Sequence, residues 1–408
     1  MKSHTTLSRA FLAGMSVVLI ASILLAFVVY HIIVSANAAQ ASVNATPTMA
    51  PITTTTTTAV PTTNGPVALP PVQDPGSVLG INGDPTINYP SISWVRLSYP
   101  TCGWGDYTGK KLQTAIEQYH AQGIRVMLTI CQSSTGAGLF DTQRLNDAAQ
   151  GGADAVQCGN EQMKQNAATM YIAPTNFAKF YDLCESAMHA VNPNIPVILG
   201  SLDPQLAGTN YQQIQSQIDY LNQMQQAMNT QVHPGGNWDW HTQIIGLIDS
   251  WHNGYPSAYT NNLYGLFAFW AQQLHVNLNS GDLGKHLWVI EGTGCFKDCG
   301  IDSSSSYQVA VSHILTLITD VQTTMTYHVP FFYFSGTDFN LDGILWPIGV
   351  LNTQNQSKPL RQDLAPGTRK LTLTCSSGQV IVADQETLLA KLYSGCTLPG
   401  NYASILTS

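Results

Sequence analysis

Two glutamates stand where a carboxylate directly follows an apolar run. The first closes Ala155-Val156-Gln157-Cys158-Gly159-Asn160-Glu161, and the second closes Leu287-Trp288-Val289-Ile290-Glu291 before Gly292-Thr293. Acidic residues are scarce here, 24 Asp and Glu in 408 residues, so two placed this way do not read as surface filler. Two carboxyls that flank one bond can divide acid and nucleophilic work between them. One donates a proton to the leaving oxygen while the other attacks carbon or activates water, which is what cleavage of a glycosidic bond requires. A separation of about 5–5.5 Å makes the second carboxylate a nucleophile and the reaction retaining.

That chemistry needs a frame that brings two distant segments to one place. From Gln73 onward, short β-rich runs alternate with helical patterns. The runs are Val78–Ile81, Ser93–Ser98, Ile124–Ile130, Ala155–Cys158, Pro196–Ser201, Ile244–Ser250, Leu287–Glu291 and Pro330–Phe334. Most are continuously apolar, as strands covered on both faces are. Phe177, Phe180, Tyr181, Cys184, Met188 and Val191 mark one face of a helix that opens near Pro174 and closes before Pro193. Further helical patterns run through about 110–120, 211–228, 259–274 and 307–324. Eight strands alternating with helices predict a (β/α)8 TIM barrel. The competing fold, a doubly wound open sheet, lacks a GxGxxG turn after the first strand. In a barrel the reactive groups sit at the C-terminal strand ends, and the fourth and seventh strands face each other across the mouth.

Gly159-Asn160-Glu161 and Val289-Ile290-Glu291 together resemble the paired signatures of clan A retaining glycoside hydrolases, the superfamily of the family 5 cellulases. The resemblance runs from about Leu79 to Pro359. It implies Glu161 as acid/base and Glu291 as nucleophile, with Asn160 on the sugar's 2-hydroxyl. It also implies Arg96, at the end of the second strand, as a cation that keeps Glu291 ionised. His252 and Tyr255, after the sixth strand, match the clan's His and Tyr in place and type, with one extra residue between them. Gln162 stands where the clan often has Pro, and Gly292-Thr293-Gly294 replaces its usual aromatic or Gly-Trp continuation. Cellulose, mannan, xylan and β-1,3-glucan all stay open as substrates. So do two other readings, a carbohydrate-binding barrel without activity and a transglycosidase that uses the same covalent intermediate.

Sugar binding also calls for aromatic faces. Trp104, Trp251 and Trp346 follow the second, sixth and eighth strands on the mouth side, and Trp346 is the preferred platform. Trp238 and Trp240 precede the sixth strand and read as structural. No GxSxG elbow, phosphate-binding loop, HExxH motif or zinc-type cysteine spacing occurs, so neither cofactor nor metal is expected. A net charge of −8 offers no basic field for nucleic acid.

The N-terminal segment sets the compartment. Lys2 and Arg9 precede an apolar run from Ala10 to Val34, and no Lys or Arg follows until Arg96, which places the rest of the chain outside the cell. The run is long enough to span a bilayer, yet Ala36-Asn37-Ala38 is a small-residue cleavage pattern. Residues 1–41 are therefore a membrane anchor or a signal peptide, and the protein is secreted or held at the outer face of the cytoplasmic membrane. Residues 42–72, with Thr53 to Thr58 unbroken, form a Thr/Pro-rich linker; 73–365 form the barrel; 366–408 form a small β-containing extension. Only 10% of residues are charged, well below the roughly 25% usual in soluble domains, and amides and hydroxyls supply the polar surface. Disulfides are permitted in this setting. Cys295–Cys299 and Cys375–Cys396 are the expected pairs, and the other four cysteines read as buried thiols.

Overall fold

The computed structural model describes residues 78–83, 92–164, 170–203, 211–249, 263–292, 320–341, 343–346, 349–356, 371–382, 390–391 and 394–397. All lie in one compact unit, Pro70–Ser408. Eight parallel strands pair in sequence order: β1 (Leu79–Asn82), β2 (Trp94–Ser98), β3 (Arg125–Ile130), β4 (Ala155–Cys158), β5 (Val197–Leu202), β6 (Ile244–Asp249), β7 (Leu287–Gly292) and β8 (Phe331–Tyr333). β8 pairs back on β1, so the sheet closes and the open-sheet alternative falls. The protein is a (β/α)8 barrel. Each strand lies within one residue of its predicted ends.

The described helices are α1 (Gly109–His120), α2 (Thr142–Ala149), α3 (Pro174–Val191), α4 (Tyr211–Ala227), which runs into a π turn at Met228–Val232, and α5 (Leu263–Gln273). The predicted stripe of α3 is buried from Phe177 to Met188, whereas Val191, on the last turn, is exposed. The sequence reading overlooked α2. It is short, and it starts because the Asp141 side chain accepts from the amides of Gln143 and Arg144. The N-terminal parts of the two patterns at 259–274 and 307–324 fall outside the described residues. After the barrel, β9 (Phe339–Leu341) and β10 (Ile344–Trp346) form a short antiparallel pair. β11 (Leu371–Cys375) and β12 (Gly378–Val382) form the expected hairpin of the extension.

The cysteine reading needs correction. Cys375–Cys396 is bonded as expected, but Cys102–Cys131 and Cys158–Cys184 are bonded too, with Cα separations of 4.7 and 6.1 Å. These four looked isolated because their partners are close in the fold and not in sequence. Cys102 and Cys131 follow neighbouring strands, and Cys158 points from the outer face of β4 onto the apolar stripe of α3 that carries Cys184. Cys295 and Cys299 lie outside the described residues. So do the apolar run Ala10 to Val34 and the Thr/Pro segment; among the described residues no helix is long and apolar enough to cross a membrane.

The barrel lumen is filled in two layers. Its lower part is an apolar plug of Trp94, Met127, Ala155, Ile198, Trp288, Ile290 and Phe332. Trp94 meets the edge of Trp288 at 5.3 Å, and Trp288 stacks on Phe332 at 6.2 Å. Gly80 makes the plug possible, because a Cβ there would lie 2.6 Å from the Phe332 ring. Above the plug begins the polar layer that forms the site.

Candidate active site

Side chains alternate across a strand, so residues two apart face the same side. Two positions above Trp94, Met127 and Ala155 stand Arg96, Thr129 and Gln157, all pointing into the lumen and all buried. Their order follows from the donor geometry of one guanidinium. Arg96 Nε donates to Thr129 Oγ1 (2.8 Å) and Gln157 Oε1 (3.1 Å), and Nη1 donates to Asn82 Oδ1 at 2.7 Å. The same Nη1 reaches Glu291 Oε1 at 2.5 Å, while Nη2 reaches Asn160 Oδ1 at 2.7 Å. One side chain from β2 thus ties the ends of β4 and β7 together over the mouth.

Glu291 enters the lumen through a register shift. Leu247 pairs with Val289 but Ile248 pairs with Glu291, so Ile290 is the extra residue of a bulge. A bulge re-aims the side chains that follow it. Here it lets Ile290 complete the plug while Glu291, the very next residue, faces the site.

Glu161 is carried by a tight turn after β4. Gly159 has φ 101°, a region that L side chains avoid, and a Cβ there would lie 2.5 Å from the Phe177 ring. Glu161 itself has φ 46°, a left-handed conformation costing on the order of 1–3 kcal/mol in a non-glycine residue. Its surroundings hold it there. The Gly159 amide donates to the Ile130 carbonyl, the Asn160 amide to Gln132 Oε1, and the Glu161 amide to Ser201 Oγ at 3.1 Å. Gln162, which departs from the clan's proline, is buried, and its side-chain oxygen accepts from the Ser201 amide, joining this turn to β5.

Asn160 Oδ1 accepts from Arg96, from Ser201 Oγ (2.9 Å) and from Gln157 Nε2 (3.2 Å). With its oxygen so engaged, its amide nitrogen has no acceptor among the described residues.

Both carboxyls are inside a water-poor site, with side-chain exposures of 13% for Glu161 and 14% for Glu291. Burial pushes Glu161 up to about 7, with the Lys164 ammonium pulling down and Asp203 pushing up. Burial also raises Glu291 above the ordinary carboxylate range; Arg96 opposes this, and the Glu161 charge adds to it. Arg96 therefore limits the cost of an anion at Glu291 without fully cancelling the effect of burial. The Glu161 charge thus acts on Glu291 across the mouth of the barrel.

Several solved structures are similar to the chain at low identity. A glucosidase from Croceicoccus marinus is 12% identical over 72% of this chain and 67% of its own, with a TM-score of 0.44. A psychrophilic glycoside hydrolase family 10 endo-β-1,4-xylanase is 11% identical, covering 71% and 95%, at 0.41. The exo-β-1,4-mannosidase Op5Man5 from Opitutaceae bacterium strain TAV5 is 10% identical, covering 72% and 61%, so this chain spans under two thirds of its length, at 0.43. No family model and no curated protein matches the chain.

Of the residues singled out in sequence, Glu161, Glu291, Asn160 and Arg96 come together. His252, Tyr255 and Trp251 lie outside the described residues, and of Trp346 only its backbone place in β10 is described. Trp104, after β2, is 53% exposed with its ring nitrogen on Ser98 Oγ. Trp240 is buried and donates to Asn222, and Trp238 packs against Tyr181, so both are structural as expected. Sequence reasoning missed Asn82, Thr129, Gln132, Gln157, Ser201, Lys164 and Asp203. For Thr129 and Gln157 a signal existed: each is a lone polar residue inside an apolar strand. Asp203 stands just past β5, as Glu161 stands past β4.

Proposed function

We propose that this chain is an exported retaining glycosidase that cleaves a β-linked oligo- or polysaccharide by double displacement. The observation that carries the reading is the Arg96 guanidinium, which touches Glu291 and the neighbour of Glu161 at once. In its protonated form Glu161 gives its proton to the glycosidic oxygen as the bond breaks. Glu291 attacks the anomeric carbon and forms a glycosyl-enzyme. Glu161, now a carboxylate, takes a proton from water, the water attacks the same carbon, and Glu291 departs. A donor near 7 suits an acid that must also serve as base at neutral pH. Asn160 donates its amide to the 2-hydroxyl, a contact that strengthens in the transition state. Trp104 and the equally exposed Phe140, on the loops after β2 and β3, offer ring faces to further sugar units. The three disulfides among the described residues favour an oxidising compartment and so support export.

The test is a panel of aryl β-glycosides and β-linked polysaccharides, with the first-formed anomer read by NMR. Retention gives the β-anomer first. Glu291→Ala should lose about 10⁴-fold or more on every substrate. Glu161→Ala should keep part of its activity on activated aryl glycosides, and azide should rescue its second step. Equal, modest losses for both variants on both substrate types would reduce these residues to sugar ligands and end the enzyme reading.

A further inference from the structure

Lys164 lies one turn beyond Glu161, and the steps above give it no work. Its Nζ is 2.5 Å from Glu161 Oε1 and 3.5 Å from Asp203 Oδ2, with side-chain exposures of 16% for the lysine and 2% for Asp203. A buried ammonium fixed on a proton donor raises a difficulty. It favours the ionised carboxylate, yet the first step needs Glu161 protonated, and protonation would then leave a buried cation unpaired, which is costly. The second carboxylate resolves this. Resting on the reading of Glu161 as acid/base, we propose that Lys164 is a two-seat counter-ion, on Glu161 when that carboxylate is ionised and on Asp203 when Glu161 carries the proton.

The surroundings leave no other described group for the task. Among the described residues, the charged groups that face Glu161 are Lys164 from its own turn and Asp203 from the end of β5, both within hydrogen-bonding reach of its carboxyl, with Glu291 on β7 in electrostatic reach; Arg96 from β2 is committed to Glu291 and the Asn160 oxygen. Lys164 keeps its charge because Glu161 and Asp203 together outweigh the effect of its burial. The geometry described here, with Nζ nearer Glu161, is that of the base form. Lys164 and Asp203 are positioning residues, since neither needs to touch the sugar.

The experiment is a ¹³C NMR titration of the full chain labelled at the glutamate carboxyls, with the Glu161 signal assigned by its loss in Glu161→Gln. Asp203→Asn removes the second seat, holds the ammonium on Glu161 and should lower the midpoint by about one pH unit. Lys164→Met should raise it by a similar amount, and Lys164→Arg should bring it back. A crystal structure of Glu161→Gln, which imitates the protonated acid, should show Nζ within about 3 Å of Asp203. Midpoints that move together or not at all, or an ammonium that stays beside position 161 in that variant, would overturn the proposal. If Lys164→Met does not fold, the near-isosteric Asp203→Asn and Glu161→Gln carry the test. The titration needs no turnover. Split midpoints without cleavage of any glycoside leave the counter-ion standing and remove the catalytic assignment; cleavage without split midpoints does the reverse.

Discussion

Trp94, Met127 and Ala155 face the same lumen, on the same three strands, as Arg96, Thr129 and Gln157 two residues later. The lower three pack against Trp288, Ile290 and Phe332 in an apolar layer, while the upper three join a hydrogen-bond network that reaches the Glu291 carboxylate and, through Asn160 and Ser201, the Glu161 amide. One pleat separates the two. Interior burial stabilises the lower layer through apolar area and ring packing. The upper layer gains little net stability from its polar contacts, because each is exchanged for contacts with water. What the network supplies is position: Arg96 has its place fixed by five acceptors and so fixes Glu291 and Asn160. The floor also has a cleft of about 740 Å³ lined by Trp94, Arg125, Asp154, Lys285, Trp288 and His328, among others. It holds one carboxylate, Asp154, which is already engaged by His120 and the Val126 amide. Space without a second carboxyl has no comparable chemistry.

The contrast predicts different failures. Arg96→Met should do most damage, since it strips the cation from a buried carboxylate and the anchor from Asn160. A stability loss of about 3–5 kcal/mol by chemical denaturation is expected, with kcat/KM down at least about 100-fold. If activity survived, the upper layer would be packing like the lower one. Trp288→Ala should cost about 3–5 kcal/mol in the same assay while kcat of the folded enzyme stays close to wild type. A collapse of kcat there would mean that the plug sets the geometry of the site as strongly as the network does.

The smallest expected effect is in pH dependence. Glu161 titrates at about 7 in the folded chain against an ordinary 4.5, so the folded state takes up a proton between those values. The stability associated with that proton is present below about 4.5 and is lost as pH rises through about 7. Melting temperatures across this window should fall with pH in the wild type and fall less steeply in Glu161→Gln, where Glu291 alone of the pair still contributes. The alkaline limb of kcat/KM should lie near the same value. A limb far from it would move the acid role to another group.

Strand positions were legible because strands covered on both faces are apolar along their length, and eight such runs stand out even in a sparsely charged chain. Glu161 and Glu291 were legible because each ends such a run. Lys164 was not, because its partners lie three residues back and just past the next strand, and nothing local marks an i,i+3 pair as buried. Asp203 escaped because the fifth strand runs one residue further than its apolar pattern suggested. The disulfide pairings at Cys102 and Cys158 depend on which elements become neighbours, which only closure of the barrel decides. The bulge at Ile290 has no sequence mark at all.

The Cys158–Cys184 bond has a consequence in time as well as in space. Cys158 is the last residue of β4, and Gly159, Asn160 and Glu161 follow directly, so the bond pins to α3 the point from which the turn carrying Glu161 departs. A chain synthesised under reducing conditions would carry this turn without its covalent footing and gain it only on meeting oxidant. The position of Glu161 would then depend on the redox state the chain meets, and the proposed acid would be complete only after oxidation.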